Sequence, residues 1–185
     1  MADGPARDPT HDELPTHDAL IGRYQRRVHA VIYRMTGRHA DVDDLCQETF
    51  LQVFRGLGKL PAGSNLDGWV YRVALNVSID HLRRRTKQRA LERDPAAARG
   101  PTRAAPVQVA AGQELEQAVR RALDELPDDQ RAVVVLRMYE GLSHEEIGSI
   151  QGVPVATVRW RLFAARRKLE ALLAPFLDGP APGGE

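Results

Sequence analysis

Apolar side chains recur at intervals of three and four residues along most of the chain, which is the spacing of one face of an α-helix. In the first half, three such stretches cover residues from about 17 to 36, 41 to 57 and 66 to 85. The segment Gly58 to Asp67 contains a proline and several small polar residues, and it is predicted to be a loop.

Helical spacing resumes in the second half, from Glu114 to Pro127 and again from Asp128 to Glu140. Between the halves, three prolines and two glycines interrupt the chain without a sustained apolar stripe, which is typical of a linker. No alternation typical of strands occurs. The pattern predicts an all-α fold with a flexible linker at 86–113 between two small helical domains, 17–85 and 114–174. Disordered tails are expected at 1–16, which is acidic, and at 175–185.

The strongest local motif begins at Ser143, which with Glu146 forms the sequence of a helix-capping box. The helix that starts there is followed by a break at Gly152 to Pro154 and then by a second helix, an order that predicts a helix-turn-helix. One face of the second helix is apolar, and the opposite face is basic and aromatic, with Ala156, Arg159, Trp160, Phe163 and Arg167. The opposite face is predicted to enter the major groove of DNA.

Charge is distributed unevenly although the formal net charge of the 185 residues is only +1. Residues 83–93 contain six bases and one acid, and residues 159–168 contain five bases and no acid. Two separated basic patches predict two contacts with a polyanion. Cys46 is a single cysteine and offers neither a disulfide nor a cysteine-based zinc site. No signal peptide or membrane-spanning run is seen, so a cytoplasmic protein without membrane insertion is expected.

Two longer strings of residues resemble those of a known family. The C-terminal string is LPDDQRAVVVLRMYEGLSHEEIGSIQGVPVATVRWRLFAARRKL, and it resembles region four of extracytoplasmic-function (ECF) sigma factors of bacterial RNA polymerase. The strings ADVDDLCQETFLQVFRGL and DGWVYRVALNVSIDHLRRR resemble region two of the same family. Both regions in this order imply a sigma factor that binds core RNA polymerase and directs promoter-specific initiation.

The resemblance implies that the helix predicted from Asp41 to about Leu57, in the first half of the chain, docks on the beta-prime coiled coil of polymerase. The residues expected to do so are Asp43, Asp44, Leu45, Gln47, Glu48 and Leu51. Acidic side chains facing a basic partner supply steering and register. The acids near His39 also admit a metal site as an alternative, but no paired histidines accompany them, and no metal or other cofactor is expected.

The resemblance also implies which residues contact the two promoter elements. Minus-10 recognition and melting are assigned to Ser64, Asn65, Asn76, Asp80, Arg83, Arg84 and Arg85, with His81 beside them. Minus-35 recognition is assigned to Ala156, Thr157, Arg159, Trp160, Phe163 and Arg167. Trp69 is expected in the core, whereas Tyr71 is left between core packing and base stacking.

The expected partners are core RNA polymerase, through its beta-prime coiled coil and beta flap, promoter DNA and an anti-sigma factor. Two features depart from the family pattern. Trp160 stands where a small polar residue is common, and the linker is basic. A 28-residue linker can extend about 90 to 100 Å, so the tether permits both elements to be bound together. The free protein is expected either to lack a fixed distance between its domains or to collapse them together.

Two other functions explain less of the sequence than a sigma factor does. A stand-alone helix-turn-helix regulator explains the C-terminal motif but leaves the acidic face around Asp44 and the polar residues around Asn76 without a role. An all-α enzyme is disfavoured because no nucleophile, base and orienting group are arranged together and no glycine-rich phosphate loop is present. No catalytic residue is therefore expected.

Overall fold

The structure, a computed structural model, describes residues 15–61, 63–92 and 111–177. Every regular element in these ranges is helical, which confirms the predicted fold class. The elements are α1 His17–Thr36, α2 His39–Leu57, α3 Leu66–Glu92, α4 Ala111–Asp124, α5 Asp128–Val134, a π-helical turn Val135–Tyr139, α6 His144–Gln151 and α7 Val155–Leu177. We refer to α1–α3 as the N-terminal bundle and to α4–α7 as the C-terminal bundle.

Capping residues define both ends of α1. The hydroxyl of Thr16 accepts a hydrogen bond from the backbone N–H of Ala19 at 3.3 Å. Gly37 follows the helix with φ +67°, a left-handed conformation that favours glycine. Thr16 was predicted to belong to the N-terminal tail, but it is the N-cap of α1 because its side chain satisfies a free amide of the first turn. Residues 1–14 of that predicted tail lie outside the described residues.

Two helix boundaries differ from the prediction. α3 continues past Arg85 to Glu92, since residues 86–92 contain good helix formers and no glycine or proline. α4 begins at Ala111, so the described helices leave 18 residues, 93–110, between them. This is a shorter tether than the predicted linker of 86–113, most of which lies outside the described residues.

The predicted helix from Asp128 to Glu140 is two elements rather than one. After Val134 the chain widens into the π-helical turn, in which the N–H of Glu140 bonds the carbonyl of Val135 at 3.3 Å. Gly141 then takes a φ of +71°, and its predicted role at the end of this segment fits that conformation. The wider turn leaves Met138 and Tyr139 among the exposed large apolar residues.

The N-terminal bundle packs the apolar stripes of its three helices around one core. That core includes Leu20, Tyr24, Val28, Val31, Ile32, Val42, Phe50, Val53, Val70, Val73 and Val77. The C-terminal bundle buries Leu123, Leu126, Val134 and Ala165 against the apolar side of α7. α7 runs to Leu177 and contains Pro175, so three residues of the predicted C-terminal tail are helical.

The two bundles are packed against each other, and their buried residues form one continuous cluster that includes Ile147, Ile150 and Val158. Buried Arg131 joins the bundles at one end, because it donates to the carbonyl of Met35 in α1 and to the carbonyl of Asp124 at 2.8 Å. Burial in this region raises the pKa of the Asp124 carboxyl, against the opposing effect of nearby Arg131. The structure thus has the collapsed arrangement that was one of the two expectations for the free protein.

Candidate functional site

The exposed side of α2 presents an acidic and amide face with one apolar residue. Asp43, Asp44 and Gln47 are exposed there, and Leu51 is 51% exposed. Leu45 was predicted to belong to this docking face, but it is 4% exposed and packs in the core of the N-terminal bundle. We therefore correct the docking face by removing Leu45, because its helical position points inward.

Bases from the end of α3 lie against the acids of α2. Arg84 pairs with Glu48 at 3.7 Å, and Arg85 pairs with Asp41 at the same distance. His81 contacts the same carboxylate oxygen as Arg85, with its Nε2 3.3 Å from the Oδ2 of Asp41. The residues predicted for polymerase docking and those predicted for the minus-10 clamp therefore share one border. Partial neutralisation at that border leaves Asp43 and Asp44 as the more exposed acids of the face.

Cys46 is half-buried beside this face, on the same helix. Burial and, secondarily, the Asp43 carboxylate raise the pKa of its thiol to about 11. A thiol of that pKa is almost wholly protonated near neutral pH, which makes it a poor nucleophile. Among the described residues, no group of three or more His, Cys, Asp or Glu side chains is arranged to hold a metal ion.

The loop before α3 carries two of the predicted minus-10 residues, Ser64 and Asn65, and both are exposed. The Asn65 side-chain oxygen accepts from the N–H of Gly68 at 2.9 Å, and its carbonyl accepts from the N–H of Trp69 at 3.0 Å. Asn65 thus caps α3, which fixes the loop relative to the helix.

Along α3, Asn76, Asp80 and Arg83 are exposed and follow one another at intervals of one to two turns. They form an open polar stripe that ends in a basic cluster. All three were assigned to minus-10 recognition by the family resemblance, and the helix presents them to solvent.

A network of charged residues at the start of α3 was not anticipated from the sequence. Asp67 accepts from the Tyr24 hydroxyl and from Arg23 at 3.0 Å, and its second oxygen lies 3.7 Å from Arg27. Burial and the Asp67 bond raise the pKa of the Tyr24 hydroxyl well above its usual range. The network joins α1 to the loop that carries Ser64 and Asn65. Asp67 could be recognised in the sequence only as an acid suited to the first turn of a helix. Nothing in the sequence indicates that it bonds Tyr24 and Arg23, which lie 43 and 44 positions before it.

The two aromatic residues near the start of α3, Trp69 and Tyr71, both have internal contacts. Trp69 packs on the core cluster, and a Cβ placed on Gly56 would lie 2.6 Å from its ring, so glycine is needed for that close approach. Tyr71 is buried and donates its hydroxyl to the Glu140 carboxylate of the C-terminal bundle at 2.8 Å. Burial and this bond raise the pKa of the Tyr71 hydroxyl. Core packing, rather than an exposed stacking ring, describes both residues in this structure.

The helix-turn-helix is formed by α6 and α7, and the predicted capping box is present. The N–H of Glu146 bonds the Ser143 hydroxyl at 3.1 Å, and the Glu146 carboxylate accepts from the N–H of Ser143 at 2.7 Å. These bonds lower the pKa of the Glu146 carboxyl. Gly152 has φ +67° in the turn, and a Cβ on Gly148 would lie 2.9 Å from the carbonyl of Val153. Glycine at these two positions therefore permits the left-handed backbone of the turn and its close approach to α6.

The predicted recognition face of α7 is exposed along its length. Trp160 and Phe163 are each 61% exposed, with Ala156, Arg159 and Arg167 exposed beside them, whereas Val158 and Ala165 are fully buried on the other side. Thr157 is partly buried near the start of the helix. The guanidinium of Arg167 lies 6.0 Å from the centre of the Phe163 ring.

Two bases counted in the second basic patch have internal partners. Arg161 pairs with Asp129 at 2.9 Å and bonds the Gln151 side chain at 2.8 Å. Lys168 donates to the carbonyl of Glu125. The basic character of the recognition face therefore rests mainly on Arg159, Arg166 and Arg167, which are exposed.

Two protein-family descriptions match the chain, Sigma-70 region 2 over residues 20–88 and Sigma-70 region 4 over residues 116–169. The chain is 39% identical over 173 residues to the ECF RNA polymerase sigma factor SigE of Mycolicibacterium smegmatis. That alignment covers 90% of this chain and 66% of the relative, so the chain spans just under two thirds of that relative's length. It is also 32% identical to the RNA polymerase sigma-H factor of Pseudomonas aeruginosa, with 86% of this chain and 87% of the relative covered.

The fold is similar to that of the Bartonella quintana sigma factor RpoE, solved with the anti-sigma factor NepR. The TM-score is 0.66 at 24% identity, and 85% of this chain and 96% of the other are covered. Among the described residues, no helix is long and apolar enough to cross a lipid bilayer.

Proposed function

Because the chain belongs to the ECF group of sigma-70 RNA polymerase sigma factors, we propose that its three exposed faces divide promoter-specific initiation between them. Sigma factors of this group are non-catalytic subunits that direct RNA polymerase to promoters. The observation that supports a division of labour is that each candidate face lies on a different helix, α2, α3 or α7, and each is exposed. In this assignment residues 17–85 contain the region-two domain and residues 114–174 the region-four domain.

The α2 face is proposed to dock on the beta-prime coiled coil of core polymerase. Exposed Asp43, Asp44 and Gln47 supply charge and hydrogen-bonding groups, and half-exposed Leu51 supplies an apolar contact among them. An apolar residue surrounded by charges is a common arrangement for a specific interface, since the apolar contact gives affinity and the charges give register. The C-terminal bundle is proposed to contact the beta flap.

The loop at Ser64 and Asn65, with Asn76, Asp80 and the arginines of α3, is proposed to read and open the minus-10 element. Unstacking one base costs a few kcal/mol, which contacts from polar side chains and a neighbouring phosphate clamp can offset. Arg83 is exposed and suited to a phosphate, whereas Arg84 and Arg85 must first exchange their carboxylate partners.

A template comparison tests this assignment. Asn76→Ala, alone or with Ser64→Ala, is expected to reduce open-complex formation on duplex promoters by about tenfold or more, since one polar base contact is worth about 1 to 3 kcal/mol. A smaller loss is expected on templates already unpaired at minus-10, because those templates do not require melting. Permanganate footprinting measures the unpaired bases on both templates. Equal losses on both would show that these residues only support the fold.

The α7 face is proposed to read the minus-35 element in the major groove. Arg159 is proposed to contact guanine through two of its guanidinium nitrogens, and exposed Trp160 and Phe163 offer apolar surface to thymine methyl groups. Arg167 lies two turns beyond Arg159, with its guanidinium 6.0 Å from the centre of the Phe163 ring, and it is proposed to contact phosphate.

The two arginines are expected to behave differently when replaced. Arg159→Ala should cost about 1 to 3 kcal/mol and relax the preference at one base pair of the minus-35 element. Arg167→Ala should weaken binding to all sequences alike and lower its salt dependence. Binding selection from a randomised minus-35 library separates the two effects. The assignment fails if both variants relax the same position.

An anti-sigma factor is proposed as the antagonist of this chain. The Bartonella quintana sigma factor RpoE was solved as such a complex, and this chain shares its fold. Co-purification of the tagged chain from its own host, followed by mass spectrometry, identifies such a partner, and inhibition of transcription in vitro establishes its role.

A further inference from the structure

Arg161 lies in the same part of α7 as the candidate DNA-reading residues, but its guanidinium is bound inside the C-terminal bundle. Its Nε pairs with the Asp129 carboxylate at 2.9 Å, and its Nη1 donates to the Gln151 side-chain oxygen at 2.8 Å. Arg159 and Arg161 are two positions apart, so their side chains do not share a face of the helix. The Arg161 side chain is 18% exposed, whereas Arg159 is an exposed residue.

The two partners of Arg161 belong to two different helices. Asp129 lies in the first turn of α5, where its Oδ1 accepts from the N–H of Gln130 at 3.0 Å and its Oδ2 faces Arg161. Gln151 is the last residue of α6, directly before the turn that begins at Gly152. One guanidinium therefore joins α5, α6 and α7. Arginine suits this position because its donors form a rigid planar fork, which the single ammonium group of lysine does not reproduce.

A second polar attachment lies two turns further along α7. Lys168 donates to the carbonyl of Glu125, directly after α4. Arg161 and Lys168 are seven positions apart, which places them on the same side of the helix. Directional contacts therefore hold α7 to the rest of its bundle at two points.

Apolar packing alone fixes the rotation of α7 only weakly. The inner side of the helix is formed by small and aliphatic residues, namely Val158, Leu162, Ala165 and Leu169. Their contacts are non-directional. A rotation of about 20° moves side-chain atoms that lie about 6 Å from the helix axis by about 2 Å. A hydrogen bond to a base does not survive such a shift, since its heavy atoms must lie about 2.7 to 3.2 Å apart.

The contacts of Arg161 matter less for stability than for position. Asp129 is 45% exposed, and ion pairs that are open to solvent add little to the free energy of unfolding. The same contacts lie next to Trp160 and within one turn of Arg159 and Phe163. Their loss is therefore expected to affect the reading of DNA more than the stability of the bundle.

We propose that Arg161 is a positioning residue that sets the rotation of α7 in the major groove without contacting DNA itself. Arg161, Asp129 and Gln151 together are called the brace. The proposal rests on the minus-35 assignment of α7 above, and it adds residues that determine how accurately the bases are read. It also assigns a different task to an arginine that the sequence pattern counts among the bases of the second basic patch.

Arg161→Lys tests the brace, because it keeps the positive charge and removes the fork. The readout is discrimination, defined as the ratio of holoenzyme affinities for a promoter with the minus-35 sequence selected by the parent protein and for one with that element randomised. It should fall about tenfold, which corresponds to the loss of about one good base contact. An arginine that bound a phosphate would tolerate lysine, which also binds phosphate. Unchanged discrimination would overturn the proposal.

Arg121→Lys is the matched control, since it makes the same substitution at an exposed position of α4 in the same bundle. Its discrimination should equal that of the parent protein. A loss as large as that of Arg161→Lys would contradict a specific role for the brace.

Asp129→Asn gives opposite results for a brace and for a phosphate contact. The asparagine keeps the size of the side chain and removes its charge, so the brace predicts a loss of discrimination. If Arg161 binds a phosphate, removal of its carboxylate partner should strengthen binding to all sequences alike and leave discrimination unchanged. The double variant with Arg161→Lys should lose no more than either single variant, because both changes break the same contact. Full additivity would contradict the brace.

Partial unfolding of a variant does not imitate the expected result. Unfolded chains lower binding to both promoters by the same factor, so the ratio of the two affinities stays constant. Thermal unfolding followed by circular dichroism measures stability separately. A large fall in the unfolding temperature of Arg161→Lys with unchanged discrimination would reduce Arg161 to a structural role and overturn the proposal.

Arg159→Ala separates the brace from the function on which it rests. If Arg159→Ala lowers discrimination and Arg161→Lys does not, α7 reads the minus-35 element and the brace is wrong. If neither variant lowers discrimination, the minus-35 assignment of α7 is itself wrong.

Discussion

Reversing the charges of Asp44 and Glu48 is expected to reduce affinity for core RNA polymerase by on the order of 100-fold, about 3 kcal/mol. The two residues lie one turn apart on α2, beside half-exposed Leu51. Asp44→Lys with Glu48→Lys turns an attractive contact with a basic partner into a repulsive one. Because both positions are on the surface, the fold should change little in stability. Glu48→Lys also faces Arg84 at the border with α3, so the single Asp44→Lys variant is the cleaner probe.

Asp18→Lys is the matched control, because it changes the charge equally at an exposed position on α1. Binding of labelled protein to core polymerase measures all variants, and minus-35 duplex binding shows that the C-terminal bundle is intact. Affinity for core enzyme that is unchanged in Asp44→Lys and in the double variant would remove α2 as the docking helix.

Deleting residues 96–105 is expected to abolish transcription while both bundles stay folded. The 18 residues between α3 and α4 can extend about 60 to 70 Å. Promoter elements two helical turns apart are separated by roughly 70 Å, so the intact tether is only just long enough. After deletion, 8 residues remain and reach about 30 Å, which is too short for both bundles to occupy their elements together. Run-off transcription measures the loss.

A replacement of the same ten residues by a glycine-serine segment of equal length separates length from composition. Full activity of this replacement is expected if the segment acts as a tether, and a loss would show that its basic residues also matter. Full activity of the deletion would mean that the two bundles do not hold two elements at once, as in a stand-alone regulator.

Local features of this fold are readable from the sequence because each has a local physical cause. The capping box at Ser143 and Glu146, the left-handed glycines and the exposed side of α7 all follow from residues within one or two turns. The extension of α3 to Glu92 was missed because residues 86–92 have no apolar stripe, although their intrinsic helix propensity is good. Leu45 was misplaced because the family resemblance assigned a function to a whole segment, whereas the helical period puts that position inside.

The contacts between the bundles had no signal in the sequence. Arg72 meets Ile150 across 78 positions, and Tyr71 meets Glu140 across 69. From the sequence alone, the role of Tyr71 stays undecided, and Arg72 has no assigned partner. Neither periodicity nor a motif indicates a contact with a residue so far along the chain. These contacts therefore become visible only in the folded structure, where the two bundles are packed together.

The distance between the bundles, measured before and after assembly with polymerase, tests the account most directly. Dyes attached in a Cys46→Ser background at exposed Gln25 of α1 and Glu170 of α7 report that distance by single-molecule energy transfer. We expect one short distance in the free protein and one longer, fixed distance on core polymerase bound to a promoter. A distance that stays short in a complex that still makes transcripts would contradict the separate engagement of two promoter elements.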